Sequence, residues 1–170
     1  MKRKIMISFL LVLSVLCLKA QEPVKSRRER RAERQEKRIE EVKEMIRAKS
    51  FIFEAIHAMP IGGGSIHLNH TFDVEVNKDT LASYLPFFGV AYRVDYGSRN
   101  SALDFSQPVQ SYEMKNTDDG YLIKIEVKNK MDILNFTFFI SKLGYATLNV
   151  TSTSRQAISY YGRIDAAGKE

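Results

Sequence analysis

The sequence predicts a mainly β protein, a single antiparallel β sandwich or partly closed barrel of about seven or eight strands with an N-terminal charged α-helix. Three observations carry that reading. A helix-forming stretch without glycine or proline ends near Ser50, apolar residues recur at every second position beyond it, and turn-forming clusters interrupt the alternation at strand-length intervals.

The elements follow in order. Lys2, Arg3 and Lys4 precede an apolar run from Ile5 to Leu18, and Lys19-Ala20-Gln21 suits processing, so residues 1–20 read as a secretory signal peptide. The run is shorter than the roughly 20 residues that a helix needs to cross a bilayer. Cleavage before Gln21 delivers the chain to the periplasm and removes Cys17, the only cysteine. The mature chain then has no disulfide, thiol nucleophile or thiolate metal site. The alternative is acylation of Cys17 and attachment as an outer-membrane lipoprotein.

Loss of the leader, which carries four basic residues and no acid, lowers the net charge from +6 to +2. The remaining basicity is local. Residues 21–49 hold eleven Lys/Arg against seven Glu, whereas residues 50–170 hold eleven against thirteen acids, so a basic arm precedes a mildly acidic body. Lys25 to Lys49 is rich in Arg, Glu, Lys, Ala and Gln and predicts one helix. Through Arg38 it offers only Ala32 as an apolar residue, whereas Ile39, Val42, Met45 and Ile46 form a stripe at helical spacing that can dock. Arg27-Arg28-Glu29-Arg30-Arg31 could suggest nucleic acid, but interleaved glutamates and export argue against it. A solvated spacer, or an electrostatic contact with anionic lipid or sugar and hence a peripheral membrane association, fits better.

The β body spans residues 50–165, leaving 166–170 as a C-terminal tail. Phe51, Phe53 and Ala55 alternate, so Phe51–Met59 reads as a strand, and Pro60–Ser65 with three glycines as a turn. In Thr71–Asn77, Phe72, Val74 and Val76 share one face. Asp79–Leu85 reads as a helical turn capped by Asp79, and Phe87–Asp95 as a further strand. Val109–Met114, Tyr121–Lys128, Leu134–Ile140, Tyr145–Thr151 and Ala157–Ile164 then predict an antiparallel meander with short turns.

Three segments carry a family resemblance: Phe51-Ile52-Phe53, Leu85-Pro86-Phe87-Phe88-Gly89-Val90-Ala91, and Ile158-Ser159-Tyr160-Tyr161-Gly162-Arg163-Ile164. Over roughly residues 45–165 the chain resembles the family called domain of unknown function 4251. The resemblance implies an exported protein of the Bacteroides group of Gram-negative bacteria and brings no established activity.

The aromatic residues Tyr84, Phe87, Phe88, Tyr92, Tyr160 and Tyr161 either fill the core or line a ligand cavity. The histidines are the candidates for a metal or a general base: His67 and His70 lie three apart, and a hairpin across the glycine turn could bring His57 near them. No H-E-x-x-H, G-x-S-x-G or P-loop spacing occurs, so the residues imply no cofactor, metal or catalytic set. The reading is a non-enzymatic envelope module that binds another protein or a surface polymer through edge strands and the basic arm. A small-ligand carrier with an aromatic-lined barrel is the alternative, and a His-dependent hydrolase the third.

Overall fold

The computed structural model describes residues 26–92 and 103–167; the leader, Cys17 and most of the C-terminal tail lie outside them. Two compact units are distinguished, Met1–Arg34 and Gln35–Glu170. One helix, α1 (Arg27–Ala48), is followed by eight strands: β1 (Ser50–Pro60), β2 (Ile66–Asn77), β3 (Thr80–Leu85), β4 (Leu103–Thr117), β5 (Gly120–Asn129), β6 (Asp132–Ser141), β7 (Tyr145–Ser152) and β8 (Ile158–Asp165).

In the first unit, the described residues are the opening turns of α1. Ser26 and Glu29 form a capping box: the Glu29 amide donates to Ser26 Oγ at 3.2 Å, and the Ser26 amide donates to Glu29 Oε2 at 2.8 Å. Each side chain satisfies an amide that the first turn leaves without a helical acceptor.

In the second unit, every strand pairs antiparallel with the next, and β8 returns to β1, so the meander is a closed barrel rather than a sandwich or a partly closed one. Alternation explains its core. Phe51, Phe53, Val74, Val76, Ile123, Ile125, Val127, Phe136, Phe138, Leu148, Val150, Tyr160 and Ile164 point inward and are buried, while Glu54, Lys124, Glu126, Lys128 and Arg163 stand on alternate positions facing out. Phe138 meets Phe51 and Phe53 edge-on, with centroids 5.6 and 5.8 Å away, so aromatic packing joins β6 to β1 across the interior.

Gly162 is a closure point. A side chain there would collide with the Glu54 carbonyl and crowd the Phe53 ring, so the β1–β8 approach requires glycine. One residue along the same seam, the register shifts: Ala55 pairs with Gly162 and His57 with Tyr161, leaving Ile56 as the extra residue of a β-bulge. The bulge reverses the facing of all that follows in β1. Ala58 turns inward and His57 outward.

Val42, Met45 and Ile46 on α1 are buried and belong to the same apolar cluster as the barrel residues, whereas Ile39 is only half-buried. Arg38 adds polar ties: its guanidinium donates to the carbonyls of Ile164 and Leu143 and lies 3.4 Å from Asp165 Oδ1. The helix ends at Ala48, and Lys49, with a φ of 52°, turns the chain into β1.

Two sequence expectations fail. Asp79–Leu85 is not a helical turn: Thr80–Leu85 is β3, with Leu81, Ser83 and Leu85 inward and partners on β2 and β4. Pairing on both sides outweighs the local cap signal at Asp79. Nor is Phe87–Asp95 a strand over its described part. Residues 86–90 are irregular, Ala91 makes a single bridge to Arg155, and residues 93–95 lie outside the description. Pro86 removes an amide donor, and the following backbone bonds the β7–β8 connection instead: the Tyr92 amide donates to Ser154 O at 2.8 Å and the Gln156 amide to Val90 O at 3.1 Å.

Candidate functional site

The six singled-out aromatics do not surround one cavity. Tyr160 is fully buried and donates to the Pro86 carbonyl at 2.7 Å, which places it in the core with its hydroxyl satisfied. Burial raises its hydroxyl well above the usual tyrosine range. Phe87 packs against that core, the half-exposed Tyr84 lies beside Phe72 with centroids 5.3 Å apart, and Phe88, Tyr92 and Tyr161 are exposed. The interior that a carrier would need is occupied by Phe51, Phe53, Phe136, Phe138 and Tyr160.

The outer wall carries the more distinctive feature. Phe139 on β6, Thr147 on β7 and Tyr161 on β8 are consecutive register partners, and all three face outward. Neighbouring strands lie about 4.8 Å apart, so the small Thr147 leaves a gap roughly two strand spacings wide between two rings. The result is a depression of about 380 Å³ lined by Tyr121, Phe139, Tyr145, Thr147 and Tyr161, together with Thr117 at the end of β4 and Asp119 of the β4–β5 turn. Phe139 is 49% exposed, Tyr145 56% and Tyr161 40%, an unusual grouping of rings on one wall. Phe88, Tyr92 and Tyr160 do not line it.

Of these residues the sequence singled out only Tyr161. Phe139 was hidden in Leu134–Ile140, a run apolar on both faces apart from Asn135 and Thr137; the signal available was that Phe139 falls with those two on the outward parity of β6. Tyr145 follows the β6–β7 turn, at the open end of its strand.

The hairpin does bring two histidines together. His57 and His67 are direct partners across β1 and β2, with His67 Nδ1 3.4 Å from His57 Nε2. His70 instead packs edge-on against Phe72 at 6.4 Å. Asp73 faces Glu54 across the strands; burial, with the charges of Glu75 and Glu54, raises its carboxyl above the ordinary value. Among the described residues, neither His67 nor His70 hydrogen-bonds Asp73 or Glu75, and no cluster of three or more metal-ligating side chains occurs.

The family model described as domain of unknown function, DUF4251, matches residues 33–164. The chain belongs to this family. Its barrel is similar to the crystal structure of a DUF4251 family protein from Bacteroides eggerthii DSM 20697, with a TM-score of 0.57 at 13% identity, covering 76% of this chain and 87% of that one. At that identity the likeness concerns the fold. No curated protein matches. Within this DUF4251 barrel, two of the three motif segments meet through a side chain, because the Tyr160 hydroxyl of the closing segment donates to the Pro86 carbonyl of the L-P-F-F-G segment.

Proposed function

We propose that this protein is a non-enzymatic binding module of the bacterial cell envelope, exported to the periplasm, and that it holds a polysaccharide chain against the outer wall of its barrel. The observation that carries the reading is the Phe139–Thr147–Tyr161 depression, with Tyr145 and Tyr121 beside it. Exposed rings present flat apolar faces, which suit the C–H faces of a sugar ring. Tyr145, Tyr161, Thr147, Thr117 and Ser141 add hydroxyls, and Asp119 a carboxylate, at the margins where sugar hydroxyls would lie. The site is shallow and open, as an extended polymer requires and an enclosed small ligand does not.

Closure of the barrel redirects the sequence-based expectation. Edge strands were the anticipated contact, but β1 pairs with β8, so this sheet offers no edge along those strands for an added partner strand. Binding then falls to the wall. The carrier reading loses its cavity to the filled interior, and among the described residues the hydrolase reading has no histidine–carboxylate hydrogen bond to support it.

The test is titration of tag-free protein with soluble fragments of envelope polysaccharide, followed calorimetrically. Phe139→Ala and Tyr161→Ala should each weaken binding about tenfold, since loss of one buried aromatic contact is worth on the order of 1.4 kcal/mol. Wild-type protein that binds no polysaccharide, or variants that bind equally well, would reject the site. Binding of a peptide partner that both substitutions abolish would keep the depression but reject the polymer.

A further inference from the structure

We propose that His57 and His67 form a two-histidine site for a divalent transition ion of imidazole-seeking type, Zn2+, Cu2+ or Ni2+, on the outer wall between β1 and β2. The inference stands apart from the polysaccharide reading. It rests on the approach of His67 Nδ1 and His57 Nε2, 3.4 Å apart, with ring centroids separated by 5.0 Å.

These two distances match what chelation demands. Two imidazole nitrogens bound at about 2.0–2.1 Å to one tetrahedral ion lie about 3.4 Å apart, and their ring centres lie about 5 Å apart. The rings are tilted at 56° rather than stacked face to face, and Nδ1 of one lies nearest Nε2 of the other. Imidazole is the ligand type that Zn2+, Cu2+ and Ni2+ prefer, whereas Ca2+ and Mg2+ seek oxygen.

The backbone prepares the pair. Directly opposed residues of an antiparallel ladder have Cβ atoms about 5 Å apart, and His57 and His67 are such partners. Two irregularities set them opposite: the bulge at Ile56, without which residue 57 would continue the inward alternation of Phe51, Phe53 and Ala55, and residues 68–71 of β2, which fall out of register so that His67 rather than His70 faces His57. On the far side of His57 lies Tyr161, with centroids 6.5 Å apart, so a bound ion would sit beside the aromatic wall. Two protein ligands leave the other coordination positions to water, which makes the site of moderate affinity and open to exchange.

The same pair of nitrogens could instead share a proton in a plain hydrogen bond, and the experiment separates the two. Tag-free protein is titrated calorimetrically with Zn2+ and Cu2+ alone, as wild type and as His57→Ala, His67→Ala and His70→Ala. The site predicts one ion per chain, an affinity lowered by about tenfold or more in either of the first two variants, and no change in the third. Electron paramagnetic resonance of the Cu2+ form should show coupling to two imidazole nitrogens, falling to one in each single variant. Wild-type protein that binds no more tightly than His57→Ala, or a Cu2+ spectrum unaltered by either substitution, would overturn the proposal. Circular dichroism of the variants, expected unchanged for two side chains outside the core, guards against loss of binding through unfolding.

Discussion

Ser83 and Tyr112 each bury a hydroxyl that makes no hydrogen bond among the described residues. Burial pushes the Tyr112 hydroxyl up to about 12. A buried polar group without a partner carries an uncompensated desolvation cost, so Ser83→Ala and Tyr112→Phe should hold or raise stability, by about 1 kcal/mol at most. Asp132 is the opposite case. Burial alone would raise its carboxyl, but hydrogen bonds from Ser152 and Thr153 and the Arg155 guanidinium 3.0 Å away outweigh it and hold the group below the ordinary 3.8. Asp132→Ala should cost about 2 kcal/mol, because those donors lose their acceptor. A carboxylate with a depressed folded value contributes its stability above the unfolded value and loses it as pH falls through the folded one, below 3.8. Asp73, raised beside Glu75 and Glu54, has the reverse sign: its charge costs stability at neutral pH, and the cost is relieved in acid. Asp73→Asn should therefore raise Tm at neutral pH, with the gain vanishing as pH falls through the raised value. Thermal melts across the acid range check both signs.

At the scale of elements, α1 divides by burial. Residues 26–37 are exposed, while Arg38 bonds the end of β8 and Val42, Met45 and Ile46 join the core. Deleting residues 26–37 should leave Tm unchanged, whereas Ile46→Asp should cost several kcal/mol, a large share of a domain's usual 5–15, by burying an unpaired charge. A deletion that unfolds the barrel beside a harmless Ile46→Asp would refute that division. The helix stripe and the strands from β4 to β8 were legible because their apolar periods, near 3.6 and 2, are local properties of the chain. Arg38 was not, since its role lies in carbonyls 105 and 126 residues away. β3 was obscured because polar Ser83 occupies an inward position, which breaks the apolar alternation that would have marked Thr80–Leu85 as a strand. The outward facing of His57 depends on a bulge that one strand's sequence does not announce, because it is defined by register with two neighbours.

For the whole molecule, closure of the β1–β8 seam separates a filled interior from an exposed outer wall. Gly162→Ala tests the seam: the added methyl meets the Glu54 carbonyl, so the variant should fold poorly or expose the interior to hydrophobic dyes. Apolar residues inside and charged ones such as Lys124, Glu126 and Lys128 outside give the inverse of a membrane-spanning barrel. Among the described residues, no helix is long and apolar enough to cross a membrane. The class of fold could be read from alternation and turn spacing, but the depression could not, because its rings are brought together from β5, β6, β7 and β8 by register. The central claim is that ligand meets the outside of this barrel and not its core. Nuclear magnetic resonance of labelled protein titrated with envelope polysaccharide tests that most directly: perturbed signals should cluster at Tyr121, Phe139, Tyr145, Thr147 and Tyr161. Perturbations centred instead on the buried Phe51, Phe136 and Tyr160, with the outer wall silent, would contradict it.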